Sequence, residues 1–174
     1  MRAPSAAVAA VIALAVGTAL TPPAGARPAD FPDLGRFSSA DPTAYMRPFS
    51  PAERWATGYL FFQTPGGVNC AAGAATWCTG PLPGVPVPPG GCGSVDADGG
   101  GFQIRTTRTP CVPGSPAVLN VGEKLTNDTY DIVCAVGADD ADDADDADDA
   151  DDMVACIRGD GHGFVLQPSG SRTF

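Results

Sequence analysis

Apolar and polar side chains alternate with a period of two over several short stretches, the pattern of strands with one buried face. The clearest stretch is 101–107, where Phe102 and Ile104 alternate with Gln103 and Arg105. Shorter or weaker stretches of this kind occupy residues 59–63, 68–70, 74–78, 118–125, 130–134, 154–158 and 164–167. About eight short strands punctuated by turns predict an all-β, mainly antiparallel fold, either a small sandwich or a barrel.

Turn-forming residues are abundant between these stretches. The 174 residues include 22 glycines and 18 prolines, a composition that excludes a helical bundle. Residues 79–91 contain five prolines and four glycines, and proline supplies no backbone donor to a central strand. This long loop is predicted to be a polyproline-like connection, with docking to an aromatic groove as the alternative.

The first 26 residues have the pattern of a secretory signal peptide. Arg2 precedes the uncharged apolar stretch 6–20, and the small residues 24–26 follow a Thr-Pro-Pro break. As a helix, 15 residues span about 22 Å, which is short of a hydrocarbon core of about 30 Å. We therefore expect cleavage after Ala26 and no transmembrane anchor in the mature protein, which places it outside the cell or in the cell envelope.

The mature chain divides into an arm, residues 27–57, and a β domain, residues 58–174. The arm mixes Pro, Asp, Ser and isolated aromatic residues without a clear period, so we expect it to drape over the domain. Ser50 to Glu53 has the arrangement of a capping box with proline at the first helical position. A short helix over 53–56 is predicted there.

Six cysteines lie in the mature chain, and an even number in an exported protein indicates disulfides. Fifteen pairings are possible for six cysteines, and we favour the pairing of sequence neighbours because each pair brackets a plausible hairpin or loop. The predicted pairs are Cys70 with Cys78, Cys92 with Cys111, and Cys134 with Cys156. The rival interpretation is a zinc site, which the single histidine and the lack of any CxxC disfavour.

Residues 138–152 consist of five Ala-Asp-Asp repeats. Like charges at a spacing of three repel along a helix, and Asp and Ala are both depleted in strands. The tract is therefore predicted to be a disordered acidic loop at the tip of a hairpin whose base carries Cys134 and Cys156. Because a longer surface loop costs little free energy, we hypothesise that the repeat expanded from a tight turn.

The net charge of −10 belongs mainly to this tract, which supplies ten of the twenty acidic residues. Without it and without Arg2, nine basic and ten acidic residues remain, a net charge of −1. A nearly neutral domain does not suggest binding to nucleic acid or to an anionic membrane. We expect a monomer whose ligand is extracellular or belongs to the envelope.

Two acidic segments are candidates for cation binding. Asp139, Asp142, Asp145 and Asp148 are candidates for weak, diffuse association, since the tract lacks the shaped cage of a calcium site. Residues 96–99 match only a fragment of a calcium-binding loop and are predicted to form a turn. No defined metal site and no cofactor are expected.

Candidates for catalysis are few. His162 is the only histidine, and Asp160 and Ser169 are near it in sequence, so a nucleophile, base and orienting acid can be drawn from these three. The chain has no GxSxG pattern, and Asp160 also suits a turn. Asn127 to Thr129 matches the glycan-acceptor pattern, which predicts a surface loop.

Three segments, FQTPGGVNC at 62–70, WCTGPLPGVP at 77–86 and GDGHGFVLQPSGSRTF at 159–174, resemble a group of small uncharacterised exported proteins of mycobacteria and related actinobacteria. The likeness covers most of residues 59–174 outside the acidic tract. By this resemblance His162 and Phe164 belong to a shared terminal motif, but no activity or residue role comes with it.

Strands, disulfides and turns account for the unusual residues of the chain without leaving a reaction centre. The leading hypothesis is a secreted or envelope-associated, non-enzymatic binding or structural module. The alternatives are a secreted hydrolase that uses His162 and a cation-binding module that uses the Asp-rich loop.

Overall fold

The computed structural model describes residues 28–47, 58–111, 114, 117–138 and 152–174. The predicted signal peptide, the predicted helix over 53–56 and the interior of the acidic tract lie outside the described residues. The described part is mainly β structure arranged in two sheets, and it carries three disulfides.

The first sheet is a five-stranded antiparallel meander, called sheet B below. Its strands are β2 (Leu60–Gln63), β3 (Asn69–Ala72), β4 (Trp77–Gly80), β5 (Cys92–Asp98) and β6 (Gly101–Thr107), in that spatial order. Consecutive strands pair directly because short Gly-containing turns join all of them except β4 and β5. The Pro-rich segment 81–91 makes that longer connection, as the shortage of donors predicts.

The second sheet, sheet A, has six strands. In spatial order they are β1 (Ser38–Ser39), β7 (Glu123–Asn127), β8 (Ile132–Ala138), β9 (Asp152–Arg158), β10 (Gly163–Leu166) and β11 (Arg172–Thr173). All neighbours are antiparallel except β1 and β7, which are parallel. Sheet A therefore combines a strand of the arm with the C-terminal half of the domain.

The two sheets face each other across one apolar core, so the fold is a sandwich and the barrel alternative is wrong. Alternate residues of the longer strands enter the core, as the period of two requires. The largest buried side chains come from both sheets, and they include Phe62, Val95, Leu125 and Phe164. The rings of Phe102 and Phe164 meet edge to face across the sandwich with centroids 5.1 Å apart.

The three predicted disulfide pairs are confirmed. Cys70 and Cys78 join the paired strands β3 and β4, and Cys134 and Cys156 join β8 and β9. These four sulfurs belong to the buried core between the sheets. The third bridge ties Cys92, at the start of β5, to residue 111 beyond β6.

The first described part of the arm, residues 28–37, lies against the outer face of sheet A, which is the face opposite to sheet B. The arm then continues through β1 to Tyr45, which is buried in the core between the sheets. Its described part contains two short 3₁₀ helices, Leu34–Arg36 and Pro42–Tyr45, each begun by an aspartate whose carboxylate accepts a backbone N–H. Phe31 and Leu34 are buried there, on the small side chains of Ala135 and Ala155. Sheet A is therefore covered on both faces.

Several local predictions are wrong. Residues 96–99 are not a turn, because Asp96 and Asp98 belong to β5 and the turn is formed by Gly99 and Gly100. The described residues form eleven strands instead of about eight, since β1, β5 and β11 had no counterpart in the predicted set. The stretch 118–125 is a strand only from Glu123 onward.

The glycan-acceptor pattern also misled. Asn127 is the last residue of β7 and is only 5% exposed. Its Nδ2 donates to the carbonyl oxygens of Gly58 and Ala72, both at 2.8 Å, and Thr129 N donates to its Oδ1 at 3.2 Å. A glycan would be attached to Nδ2. In the folded protein this atom is buried and instead connects the two sheets through its hydrogen bonds.

Candidate ligand-binding site

A cleft of about 360 Å³ lies between the arm and the outer face of sheet A. Its walls come from four separate parts of the chain: the segment around the first 3₁₀ helix, the turn before β7, the adjacent ends of β8 and β9, and the residue after β10. Its volume is at the lower end of the range of small-ligand sites, about 300–1,000 Å³.

The arm is held over the sheet by apolar contacts and by hydrogen bonds to the arm's backbone. The ring of Phe31 meets that of Phe174 edge to face, with centroids 5.5 Å apart. Lys124 Nζ donates to the carbonyl oxygen of Leu34 at 2.8 Å, and Ser38 N donates to that of Gly122 at 2.9 Å. These anchors fix the wall of the cleft that the arm supplies.

The floor of the cleft is apolar and includes Phe37, Val121 and Met153. Val121 is 42% exposed, which is unusual for a large aliphatic side chain of this domain. Gly137 pairs with Met153 across β8 and β9, and a Cβ at position 137 would lie 2.9 Å from Met153 Cε and 3.1 Å from Phe37 Cε1. The absence of a side chain at Gly137 therefore leaves room for these two residues in the floor.

The rim is charged, and its charges are not all neutralised. Asp30 forms an ion pair with Arg172 at 2.8 Å. The carboxylate of Asp33 accepts the N–H of Gly35 at 2.9 Å but pairs with no cation among the described residues. The guanidinium of Arg36 is exposed, and no described residue pairs with it. One free carboxylate and one free guanidinium thus stand three residues apart beside an apolar floor.

His162 lies elsewhere, in the turn between β9 and β10, and is exposed. The backbone N–H of His162 donates to the Asp160 carboxylate at 3.1 Å, and its backbone carbonyl accepts the backbone N–H of Arg158 at 2.9 Å. Asp160 also forms an ion pair with the Arg158 guanidinium. Desolvation acts to raise the pKa of Asp160, but the bonds from His162 and Arg158 outweigh it and hold that pKa below its usual value. The contacts of Asp160 are those of a turn acid.

Ser169 does not join His162. The two residues flank β10, with His162 just before Gly163 and Ser169 beyond Leu166. Four extended residues span about 13 Å, so the strand holds the hydroxyl and the imidazole well beyond hydrogen-bond reach. The structure thus brings the Asp160 carboxylate to the backbone N–H of His162 and does not assemble the set of three drawn from the sequence.

Among the described residues, no group of three or more His, Cys, Asp or Glu side chains is placed to hold a metal ion. Asp96 and Asp98 are engaged by the guanidinium of Arg105 on the outer face of sheet B. Asp139, Asp142, Asp145 and Asp148 lie outside the described residues, so diffuse cation association stays a prediction.

Comparison of the chain with protein-family models, with curated proteins and with solved structures finds no match. The resemblance to exported actinobacterial proteins therefore stays a prediction. The part of the chain that the structure describes contains no helix long and apolar enough to cross a membrane. The structure defines the class of protein to which this chain belongs: a disulfide-bonded all-β sandwich with a cleft lined by the arm.

This cleft is not predicted by the sequence. The arm is expected to drape over the domain, but the sequence pattern gives no role to Arg36 or Phe37. The spacing of Phe31, Leu34 and Phe37 at intervals of three is a signal for a 3₁₀ turn with one apolar face. That signal identifies the segment of the arm that lines the cleft. The rest of the lining depends on which face of which sheet the arm packs against, and the sequence does not specify this.

Proposed function

We propose that the protein is an exported, non-enzymatic binding module of the extracellular space or the cell envelope. Three disulfides support export, because such bonds form and persist in oxidising compartments. The signal-peptide pattern of residues 1–26 points the same way.

Fractionation of producing cells tests export. We expect the protein outside the cytoplasmic membrane, with its N-terminus at Arg27 and with cysteines that react with an alkylating reagent only after reduction. Peptide mapping by mass spectrometry reads both properties from one sample. Recovery of an unprocessed chain with free thiols from the cytosol would contradict the proposal.

The cleft between the arm and sheet A is the proposed ligand site, and the observation that carries this is its combination of an apolar floor with two unpaired opposite charges. A carboxylate accepts hydrogen bonds and a guanidinium donates them. Asp33 and Arg36 therefore suit a ligand that offers both N–H and C=O groups beside an apolar group. An extended peptide segment with one large apolar side chain has this chemistry, and the cleft volume suits two or three residues.

The hydrolase alternative receives less support. His162 is exposed in a turn, and Asp160 beside it is shared with Arg158. A general base that works on a bound substrate needs a position within hydrogen-bond reach of it, normally in a concave site. The cleft lining does not include His162 or Asp160.

Binding of blocked tripeptides tests the proposed site. We expect N-acetyl-Gly-Leu-Gly-amide to bind saturably, and N-acetyl-Gly-Ala-Gly-amide to bind at least tenfold more weakly. The reason is that Leu buries three more carbons than Ala, and each buried methylene contributes about 0.8 kcal/mol. Isothermal titration calorimetry of the disulfide-bonded protein measures both dissociation constants.

Two variants locate the binding. Arg36→Ala removes the free guanidinium, and Gly137→Val fills the floor between Phe37 and Met153, so each is expected to weaken Leu-peptide binding tenfold or more. Arg108→Ala is the matched control, since Arg108 is an exposed arginine that follows β6 and does not line the cleft. Absence of saturable binding, or equal binding by all three variants, would overturn the assignment.

A further inference from the structure

The sandwich has four sheet edges, and three of them are short or covered. The edge strands of sheet A, β1 and β11, contain two residues each. In sheet B, the edge strand β2 is bridged by Met46 at Leu60 and by Val118 at Gln63. Among the described residues, the fourth edge, β6, hydrogen-bonds only to β5 over its seven residues, and β11 of sheet A lies close to it without pairing.

The disulfide between β3 and β4 shows which backbone groups of β6 point away from the sheet, because the hydrogen-bonding pattern can be followed from β4 through β5 to β6. The Cα atoms of Cys70 and Cys78 are 4.1 Å apart, the close approach of a non-hydrogen-bonded antiparallel pair. Because backbone groups alternate in direction along a strand, Cys78 and Val95 form a hydrogen-bonded pair, and Val95 and Ile104 a non-hydrogen-bonded one. The N–H and C=O of Ile104 therefore point away from β5.

The opposite edge of the same sheet confirms this alternation. The same rule directs the backbone groups of Gln63, on β2, away from β3. Gln63 N indeed donates to Ala117 O at 2.8 Å, and Gln63 O accepts from Leu119 N at 2.9 Å. The direction of the groups on β6 can therefore be assigned by the same rule.

On β6 the outward groups belong to Phe102, Ile104 and Thr106, and no described residue hydrogen-bonds to them. The strand also lacks the features that usually protect an edge. It contains no proline, its register with β5 is unbroken over seven pairs, and no charged side chain on it points into the sandwich. Arg105 points outward and is held by Asp96 and Asp98.

We propose that β6 is a self-association edge, on which a second copy of this chain adds its own β6 in antiparallel orientation about a two-fold axis at Ile104. Ile104 then pairs with Ile104 of the second copy, and Phe102 with Thr106 of the second copy. Three residues on each copy offer one N–H and one C=O each, so this register satisfies all of them with six hydrogen bonds. The sheet becomes continuous through both molecules, with ten strands.

A second copy of the chain suits this edge because the side chains of the two β6 strands are compatible in this register. Arg105 lies opposite Gln103 of the second copy, so no like charges meet. An axis at Gln103 or at Arg105 forms only four of the six hydrogen bonds, and the latter sets two arginines face to face. Ile104, which is only partly buried in the single sandwich, gains a cover. The proposed symmetric dimer differs from the monomer expected from the sequence.

Analytical ultracentrifugation of the disulfide-bonded mature protein, expressed from the full-length chain, tests this edge at an ionic strength of about 0.15 M. At that ionic strength the repulsion between chains is screened; each has a net charge of −11, with nine basic and twenty acidic residues once Arg2 is removed. We expect a concentration-dependent dimer. Thr106→Pro removes an outward N–H without touching the β5 pairing, so it is expected to weaken the dimer at least tenfold. Thr106→Val keeps that N–H and serves as the matched control with wild-type association.

Cysteine cross-linking tests the register. Hydrogen-bonded antiparallel partners have Cα atoms about 5.5 Å apart, which suits a disulfide. Ile104→Cys is therefore expected to give a covalent dimer on mild oxidation, whereas Gln103→Cys, opposite residue 105 of the second copy, is not. A wild-type protein that stays monomeric up to hundreds of micromolar, a dimer insensitive to Thr106→Pro, or equal cross-linking by both cysteine variants would overturn the proposal. None of these outcomes depends on the cleft.

Discussion

Replacement of Cys134 and Cys156 together by alanine is expected to lower the free energy of unfolding by about 4 kcal/mol. The chain-entropy model assigns about 3 kcal/mol to a bridge with a sequence separation of 22. The remainder arises because both sulfurs are fully buried between the sheets, and their removal leaves a cavity. Denaturant unfolding followed by circular dichroism measures the change, and a larger m-value should accompany it.

The bridge between Cys92 and Cys111 provides a matched comparison. Its sequence separation of 19 gives nearly the same entropy, about 3 kcal/mol, but residue 111 is only partly buried. Its double alanine variant should therefore lose less stability than the variant at 134 and 156. Equal losses would show that burial of the core bridge adds nothing, and a loss below 1 kcal/mol at both sites would contradict the role given to the disulfides.

Asn127→Asp is expected to destabilise the fold by about 3 kcal/mol at pH 7, although the two side chains have the same shape. The variant loses the Nδ2 donor, so the carbonyl oxygens of Gly58 and Ala72 lose their partner and face a carboxylate. Asn127 connects sheet A to the end of β3, and this change therefore acts on the contact between the sheets. The midpoint of urea unfolding measures the loss.

The pH dependence of this variant has a definite sign. Burial without a donor disfavours the charged form, so the pKa of the new carboxyl should be higher in the folded than in the unfolded state. The deficit should therefore be smallest below about pH 4 and grow as the pH rises through the folded pKa. Asn120→Asp is the control, because the Asn120 amide is exposed and, within the described part of the chain, its side chain donates only to Glu123. Its cost should stay below about 1 kcal/mol.

Much of the fold could be predicted from the sequence because the deciding signals are local. The alternation at Phe102 and Ile104 identified β6, and the turn at 64–67 identified the hairpin of β2 and β3. The cysteine pairs followed from the same hairpins. Where the alternation of apolar and polar residues, a turn and a pair of cysteines all agree, the register between two paired strands is strongly constrained.

The missed elements depend on contacts that are distant in sequence. Strand β5 contains Asp96 and Asp98, which disfavour strands on their own, but both face outward and are neutralised by Arg105 of β6. Strands β1 and β11 have only two residues each, too few for any periodicity. Asn127 matches a surface pattern, yet its burial depends on the carbonyl oxygens of the other sheet.

The candidate site was beyond sequence reasoning for a related reason. Its walls combine the arm, the turn before β7 and the ends of β8 and β9, and no single segment carries a recognisable ligand motif. Gly137 shows the difficulty, since its role is the space it leaves for Phe37 and Met153. The His162 segment, which looked more informative in the sequence, is a hairpin turn whose contacts are local.

The hairpin of β8 and β9 continues for four residue pairs beyond its disulfide, ending at Ala138 and Asp152. The bridge and this ladder hold the two strand ends at the spacing of neighbouring strands, about 5 Å, whatever polypeptide connects them. We therefore expect the fold to tolerate changes in the number of Ala-Asp-Asp units. We also expect the same site to accept a foreign epitope or a fluorescent domain in an engineered version.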